Sequence, residues 1–487
     1  MSDQTRIRRN VDKLSPEELA DYQHALAKLY EISDHDPESI DGYTYFEQLH
    51  DGNEGPCEHA NDTFLPWHRA HLYLFEEALR RSDPPRTSNV TLPYWDWSAL
   101  PSGKRYPAAF EDEDSILFNP TRNQGRICRE PGEGDCQRLP YPREYLETSV
   151  LSLSTWSSPV GPGVQPIPNF GGAAGGEMTG TSTFGPGFGK LEQPAHNTMH
   201  GTYISGDMAD PSSAAFDPIF WSFHAYHDLL FTQWEQMPGH GVDTDLEARL
   251  RGLFKDRQHQ PANRFRVRDV IKDVHDPSGA QLGYTYEYIP GDRPPVRALV
   301  GAGDGLFAAH PAVDFVVSGR KTPELVRSLD VKVPQRDLTS ARLVVTGLKI
   351  PSSFSYGLDV YLAPADQDFR PEDVEFRERY LVDQLFVWRH HAHGDPRQPQ
   401  HGHGRSEQPQ RHALNALVDV GQAVGSLARN RPGQDWRLWV ALAAVTDEVG
   451  AARGDLQVRA STGPARDTLA KTMAPDDLTL QLDNSQS

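Results

Sequence analysis

Cysteine is scarce in this chain. Three residues, Cys57, Cys128 and Cys136, are spread over 487 positions, which excludes a disulfide-stapled scaffold and leaves Cys128 and Cys136 open between a bridge and two thiols. Positive charge is also short: 48 Lys and Arg face 68 Asp and Glu, a formal net charge of -20. Such an acidic chain disfavours non-specific attachment to nucleic acid or anionic lipid, and no basic stripe offsets it. Long apolar runs are missing as well. None approaches the roughly 18 residues that a membrane span needs, and the opening MSDQTRIRRNVDKLSPEE lacks the apolar segment of a secretory signal. The expectation is a soluble cytoplasmic chain, or one exported with a partner. Oligomeric state leaves no mark in the sequence.

What remains is a chain long enough for two or three domains. Ser15, Pro16 and Glu18 form a helix start with an N-cap hydroxyl, a first-turn proline and a capping-box glutamate. Leu19, Tyr22, Leu26 and Leu29 then repeat on one helical face. Further helices are predicted from about Pro66 to Arg81, Glu192 to Thr202 and Pro218 to Gln236. The last is apolar at many positions, as in the middle of a bundle, and Asp217 is placed to cap it. Between Ser98 and Lys190 glycine and proline accumulate, the composition of long loops that frame a site. Beyond about Leu338 the apolar runs shorten and fill with β-formers, as in ARLVVTGLKI, YGLDVYLA and WRLWVALAAV. RHALNALVDVGQAVGSLA is ambiguous between helix and strand. The expected fold is a mainly α catalytic domain, residues 1–290, with a four-helix bundle. A connector, 291–335, leads to an all-β sandwich or barrel, 336–487.

The chemistry is carried by histidines. His196 and His200 are four apart in HNTMH, so both imidazoles leave one face of a helix and can reach one ion. Their third partner is sought on the Trp- and Phe-rich helix DPIFWSFHAYHD, where His224 is the first choice and His227 the competitor. His50, His59 and His68 form a second group, from the end of YTYFEQLH, a loop and the start of PWHRAHLYLFEEALR. His71, one turn past His68, is read as a non-ligand. Three imidazoles and no carboxylate at each position disfavour magnesium, calcium and carboxylate-bridged iron, and suit copper among other metals.

HANDTFLPWHRAHLYLFEEAL, and HNTMHG followed by DPIFWSFHAYHD, resemble the two copper-binding regions of the tyrosinase, polyphenol oxidase and molluscan haemocyanin superfamily. The resemblance covers most of residues 1–288 and implies two copper ions. His50, His59 and His68 would hold one, and His196, His200 and His224 the other. It further implies a thioether between Cys57 and His59. Glu192 and Asn197 match the pair that holds a water near the second copper, which makes them candidate catalytic residues. Phe223 departs from the usual first histidine of an adjacent pair, which puts packing near the metal in question rather than coordination. Tyr284 and Tyr286 in LGYTY are similar to the tyrosine motif that closes the catalytic domain in plant and fungal enzymes, with Arg8 or Arg9 as its partner. FSYGLDVYLAP is similar to the C-terminal β-domain of plant enzymes.

The implied activity is oxidation of o-diphenols to o-quinones by dioxygen, with ortho-hydroxylation of monophenols as an extension. The partners would be a small phenol and O2. An o-aminophenol oxidase and a haemocyanin-like carrier are the alternatives. Gly201, after His200, would open the substrate pocket or admit a neighbouring group. Asp228, one turn after His224, is expected to hydrogen-bond a ligand's second nitrogen. The β-domain is expected to shield the copper mouth and make the enzyme latent. The His-rich stretch 389–404 is read as a loop without a catalytic role.

Overall fold

The computed structural model describes residues 6–50, 57–99, 106–123, 127–128, 137–138, 141, 143–159, 167–174, 187–254, 264–271, 282–287, 325–332, 338–349, 356–371, 373–387, 413–420, 423–424, 434–446, 458–459 and 477–484. Cys136 and the 389–404 stretch lie outside them, so the pairing of Cys128 and the reading of that stretch lie outside as well.

The helical part begins with strand β1 (Arg6–Arg8) and helix α1 (Pro16–His35). The expected capping box is present: Ser15 Oγ accepts from Glu18 N–H, and the Glu18 carboxylate accepts from Ser15 N–H. Helices α2 (Tyr43–His50) and α3 (Phe64–Ser82) follow. Helix α3 begins two residues before Pro66, which sits in its first turn, where a missing N–H costs nothing.

A helical stretch over 191–204, here α4, departs from the expected α-helix. Leu191–His196 and Met199–Ile204 are wider π-type turns, with a non-helical kink at Gln193. Such turns inside helices gather at functional sites. Helix α5 (Ile219–Glu235) is buried along nearly its whole length. Asp217 Oδ1 accepts its first N–H, from Ile219, at 3.0 Å. No helix among the described residues is long and apolar enough to cross a membrane.

The two ends of this part meet. Strand β2 (Tyr284–Tyr286) runs parallel to β1, with Arg8 opposite Tyr286. The Arg8 guanidinium lies 3.6 Å from the centre of the Tyr284 ring. It donates to Glu76 at 2.6 Å, Asp228 at 3.2 Å and the Tyr286 hydroxyl at 3.0 Å. Of the two arginines proposed as partners of the tyrosines, Arg8 is the one engaged; Arg9 pairs with Glu18 and Glu287.

The C-terminal part is an antiparallel β-structure of two sheets. Its strands are β3 (Leu325–Lys332), β4 (Leu338–Lys349), β5 (Tyr356–Pro364), β6 (Leu381–Val387), β7 (Ala413–Asp419), β8 (Asp435–Thr446), β9 (Val458–Arg459) and β10 (Asp477–Asn484). One sheet has the order β7–β4–β10. In the other, β6–β5–β8 are neighbours, and β3 and β9 share the far side of β8. Because β3 pairs with β8 from Asp435 to Ala441, the sheet already begins within the stretch expected as connector. The ambiguous segment resolves as strand over Ala413–Asp419. Leu343, Val345, Leu358, Val360, Leu438 and Val440 fill the core between the sheets.

Candidate metal centre

Six histidines converge inside the helical part as two groups of three. His50, His59 and His68 form one; His196, His200 and His224 form the other. In each group one ring nitrogen per residue lies within 4.8 Å of the other two, and all six residues are buried. His224 Nε2 is 3.3 Å from His196 Nε2 and 3.0 Å from His200 Nε2. Ligands at about 2.0 Å from a tetrahedral ion stand roughly 3.3 Å apart, so the spacing suits a small metal ion. The His68 and His224 rings stack with centroids 4.7 Å apart and planes 6° from parallel, which places the two groups side by side.

The other ring nitrogens explain the orientation. His50 Nδ1 donates to Pro211 O at 3.0 Å, His68 Nδ1 to Phe64 O at 2.9 Å and His200 Nδ1 to Met208 O at 2.8 Å. These backbone acceptors fix the tautomer and turn the Nε2 lone pair inward, as outer partners of metal ligands do. His68 Nε2 has no hydrogen-bond partner and is buried, a costly state unless an ion takes its lone pair. Burial, with neighbouring imidazoles, holds His68, His196 and His224 well below the ordinary histidine pKa. For His50 burial brings it to about 4. Neutral imidazole is the form that binds a metal.

His71 and His227 are equally buried but stand outside both groups. His71 Nε2 donates to Phe46 O at 3.0 Å, and the ring packs between Trp67 and Trp221. His227 Nδ1 donates to Phe223 O at 3.0 Å. Phe223 itself is an apolar wall: its ring meets the His200 ring edge-on at 4.8 Å.

One expected supporting role falls elsewhere. Asp228 does not hold a ligand's second nitrogen as expected; His224 Nδ1 is without a partner. The Asp228 carboxylate instead accepts from Arg8, from Arg69 Nε at 2.5 Å and from both Tyr284 and Tyr286 at 2.6 Å. Asp228 lies one turn along α5 from His224, where buried cations and hydroxyls outcompete a neutral imidazole for its carboxylate. Asn197 Oδ1 accepts from His196 Nδ1 at 2.8 Å, and its amide donates to Gln193 Oε1 at 2.8 Å. Both Glu192 oxygens accept the Ala60 N–H, at 2.8 and 3.0 Å. With burial the dominant cause, the Glu192 carboxyl is held well above the usual carboxylate range. Cys57 is buried, with Sγ 3.5 Å from His50 O.

Residues beyond the reach of sequence patterns complete the site. Phe386 of β6 packs on Gly201, and a β-carbon at 201 would stand 2.5 Å from Phe386 Cδ2. Thr198 Oγ1 donates to Gln384 O at 3.1 Å, and the Tyr141 hydroxyl donates to Asp383 Oδ1 at 3.0 Å. Strand β6 therefore docks directly on the helix that carries His196 and His200. Nothing local in either segment announces this pairing.

Residues 37–237 match the common central domain of tyrosinase, and both histidine groups lie within that span. The chain belongs to the tyrosinase and polyphenol oxidase family. A tyrosinase from Hahella sp. is 28% identical over 375 residues, covering 70% of this chain and 74% of that protein. The chloroplastic catechol oxidase B of Solanum tuberosum is 29% identical over 314 residues, 58% of this chain and 49% of that one, so the match spans about half of the plant protein. A recombinant latent aurone synthase, a polyphenol oxidase, superposes over 100% of this chain and 91% of its own with a TM-score of 0.58 at 16% identity. That likeness extends to the fold of both parts, helical and β. The family's copper oxidase chemistry fits the two three-histidine clusters, which are geometrically suited to copper ions.

Proposed function

We propose that this family member uses O2 to oxidise o-diphenols to o-quinones and ortho-hydroxylates monophenols. The observation that carries the reading is the pair of buried three-imidazole groups sharing the His68–His224 stack. His50, His59 and His68 would hold one copper and His196, His200 and His224 the other. The pair would supply redox chemistry that moves four electrons from two catechols to one dioxygen, giving two quinones and two waters. The protein's part is to hold the ligands and limit water. Backbone carbonyls at Pro211, Phe64 and Met208 fix three of the rings, and a thioether from Cys57 would fix His59. Phe223 and the glycine at 201 shape the place where a phenol ring would lie.

The docking of β6 supports a second part of the reading, that the β-structure keeps the enzyme latent. Phe386 occupies the space against Gly201, the residue after His200, and its departure would admit substrate. The deciding experiment combines copper quantification with oxygen uptake on monophenols, catechols and o-aminophenols, before and after limited proteolysis. Two coppers per chain and catechol turnover that rises on proteolysis are expected. Reversible oxygen binding without turnover would make the chain a carrier, and preference for o-aminophenols would reassign the substrate.

A further inference from the structure

Residue 60 follows the expected ligand His59 and stands in an unusual backbone state. Ala60 has φ 55°, a left-handed conformation that alanine adopts only at a cost. Something must hold it there. Its N–H is bound by both oxygens of Glu192, and its carbonyl accepts from Gly187 N–H at 2.9 Å. Both restraints come from the segment that leads into α4 and carries His196 and His200. Ala60 is fully buried, and Glu192 is 1% exposed. Among the described residues no cation pairs with the Glu192 carboxyl, and its hydrogen-bond donor is this one amide. A buried acid that binds one backbone amide and nothing charged is expensive, which points to a job for that amide.

We propose that Glu192 is a positioning residue: it sets the placement of His59 relative to the second histidine group by pinning the strained Ala60 amide. The His59 and His196 rings stand 6.1 Å apart, centre to centre, across the two groups. Glu192 ties the loop of the first to the helix of the second at that level. The amide bond needs an acceptor at the right reach, and it does not need a charge. This rests on the dicopper reading, yet it differs from a role for Glu192 as proton acceptor, because the two roles demand different things of the side chain.

Two conservative variants separate them. Glu192→Gln keeps the reach and an amide oxygen that accepts from Ala60 N–H, and removes the acid. Glu192→Asp keeps the acid and withdraws it by one methylene. The copper-loaded proteins are compared by copper stoichiometry and by electron paramagnetic resonance of the cupric form, in which two closely coupled coppers are silent and separated ones give a signal. The wild-type chain should hold two coppers and be largely silent. E192Q should match it, whereas E192D should show a several-fold larger signal or lose one copper. E192D indistinguishable from wild type, or E192Q decoupled to the same degree as E192D, would overturn the proposal. Thermal denaturation of both metal-free variants identifies any general unfolding, and a decoupled E192D with an unfolded baseline counts against a specific positioning role. A wild-type chain that binds no copper pair sinks the dicopper reading itself, a separate outcome.

Discussion

The Phe386 ring rests against Gly201, the residue after His200, so closely that no β-carbon fits between them. One belongs to an edge strand of the β-structure and the other to the helix of the second histidine group. If this contact keeps the enzyme closed, Phe386→Ala should raise catechol oxidation by the intact chain. Burying a phenylalanine contributes about 1.5–3 kcal/mol, so the open fraction should grow roughly ten- to hundredfold. Gly201→Ala should act in the same direction by unseating the ring. Oxygen uptake by intact and proteolysed protein checks both; variants that stay as slow as the intact wild type, while proteolysis still activates them, would remove Phe386 from the closing device.

Ligand and non-ligand histidines should separate by metal content. His68→Gln and His224→Gln are each expected to lose at least one copper per chain and all oxidase activity. His227→Gln, three residues from His224 but outside its group, should keep two. Elemental analysis of the purified variants reads this directly, and full copper in H224Q would return the third-ligand role to His227.

A buried histidine outside both groups should set part of the acid sensitivity. Burial lowers His71 to about 3, so the folded chain binds fewer protons there than the unfolded chain, whose histidine titrates near 6.5. Stability is therefore complete above about pH 6.5 and is lost as pH falls towards 3, by about 1.4 kcal/mol per pH unit for this one group. Denaturation of the metal-free chain between pH 7 and pH 4 should show a shallower pH slope in His71→Gln. An unchanged slope would mean that His71 is not a titrating contributor.

The proposed thioether has a mass signature. A tryptic digest should contain a peptide joining Cys57 and His59 that is lighter by two hydrogens and resists alkylation. Cys57→Ala should restore the ordinary mass balance. Complete alkylation of Cys57 in active, copper-loaded protein would rule the crosslink out.

Arg8 supplies a stability test at a residue outside both histidine groups. Its side chain is wholly buried between Glu76 and Asp228. Arg8→Met removes the one cation that Glu76 and Asp228 share and leaves each with its remaining donors; breaking such a buried network costs up to about 3–5 kcal/mol. A denaturant midpoint within error of the wild type would show that Arg69, which also reaches Asp228, suffices.

Much of the helical part was legible because local chemistry and global position agree there. The Ser15 capping box, the apolar run of α5 and the four-residue interval of His196 and His200 each carry their meaning within a few residues. The π-type turns of α4 left no such trace, since an interval of four reads alike in either helix until the kink at Gln193 is seen. Asp228 was misread because proximity in sequence to His224 hid two arginines and two tyrosines contributed from distant segments. The Ala60 amide and the Phe386–Gly201 contact are likewise products of long-range packing. Short runs of β-formers marked the β-strands as a class, but β3 lay in the stretch read as connector, and its pairing with β8 spans more than a hundred residues.

The parallel pair β1–β2 fastens the entry of the helical part to its exit, with Arg8 and Tyr286 in register. Peptide-bond cleavage downstream of Glu287 therefore need not disturb either end of the histidine-bearing core. If the β-structure keeps the enzyme latent as proposed, that form would be disposable on one side only: the cover could be discarded in a single irreversible event while the helical body remained a sealed circuit.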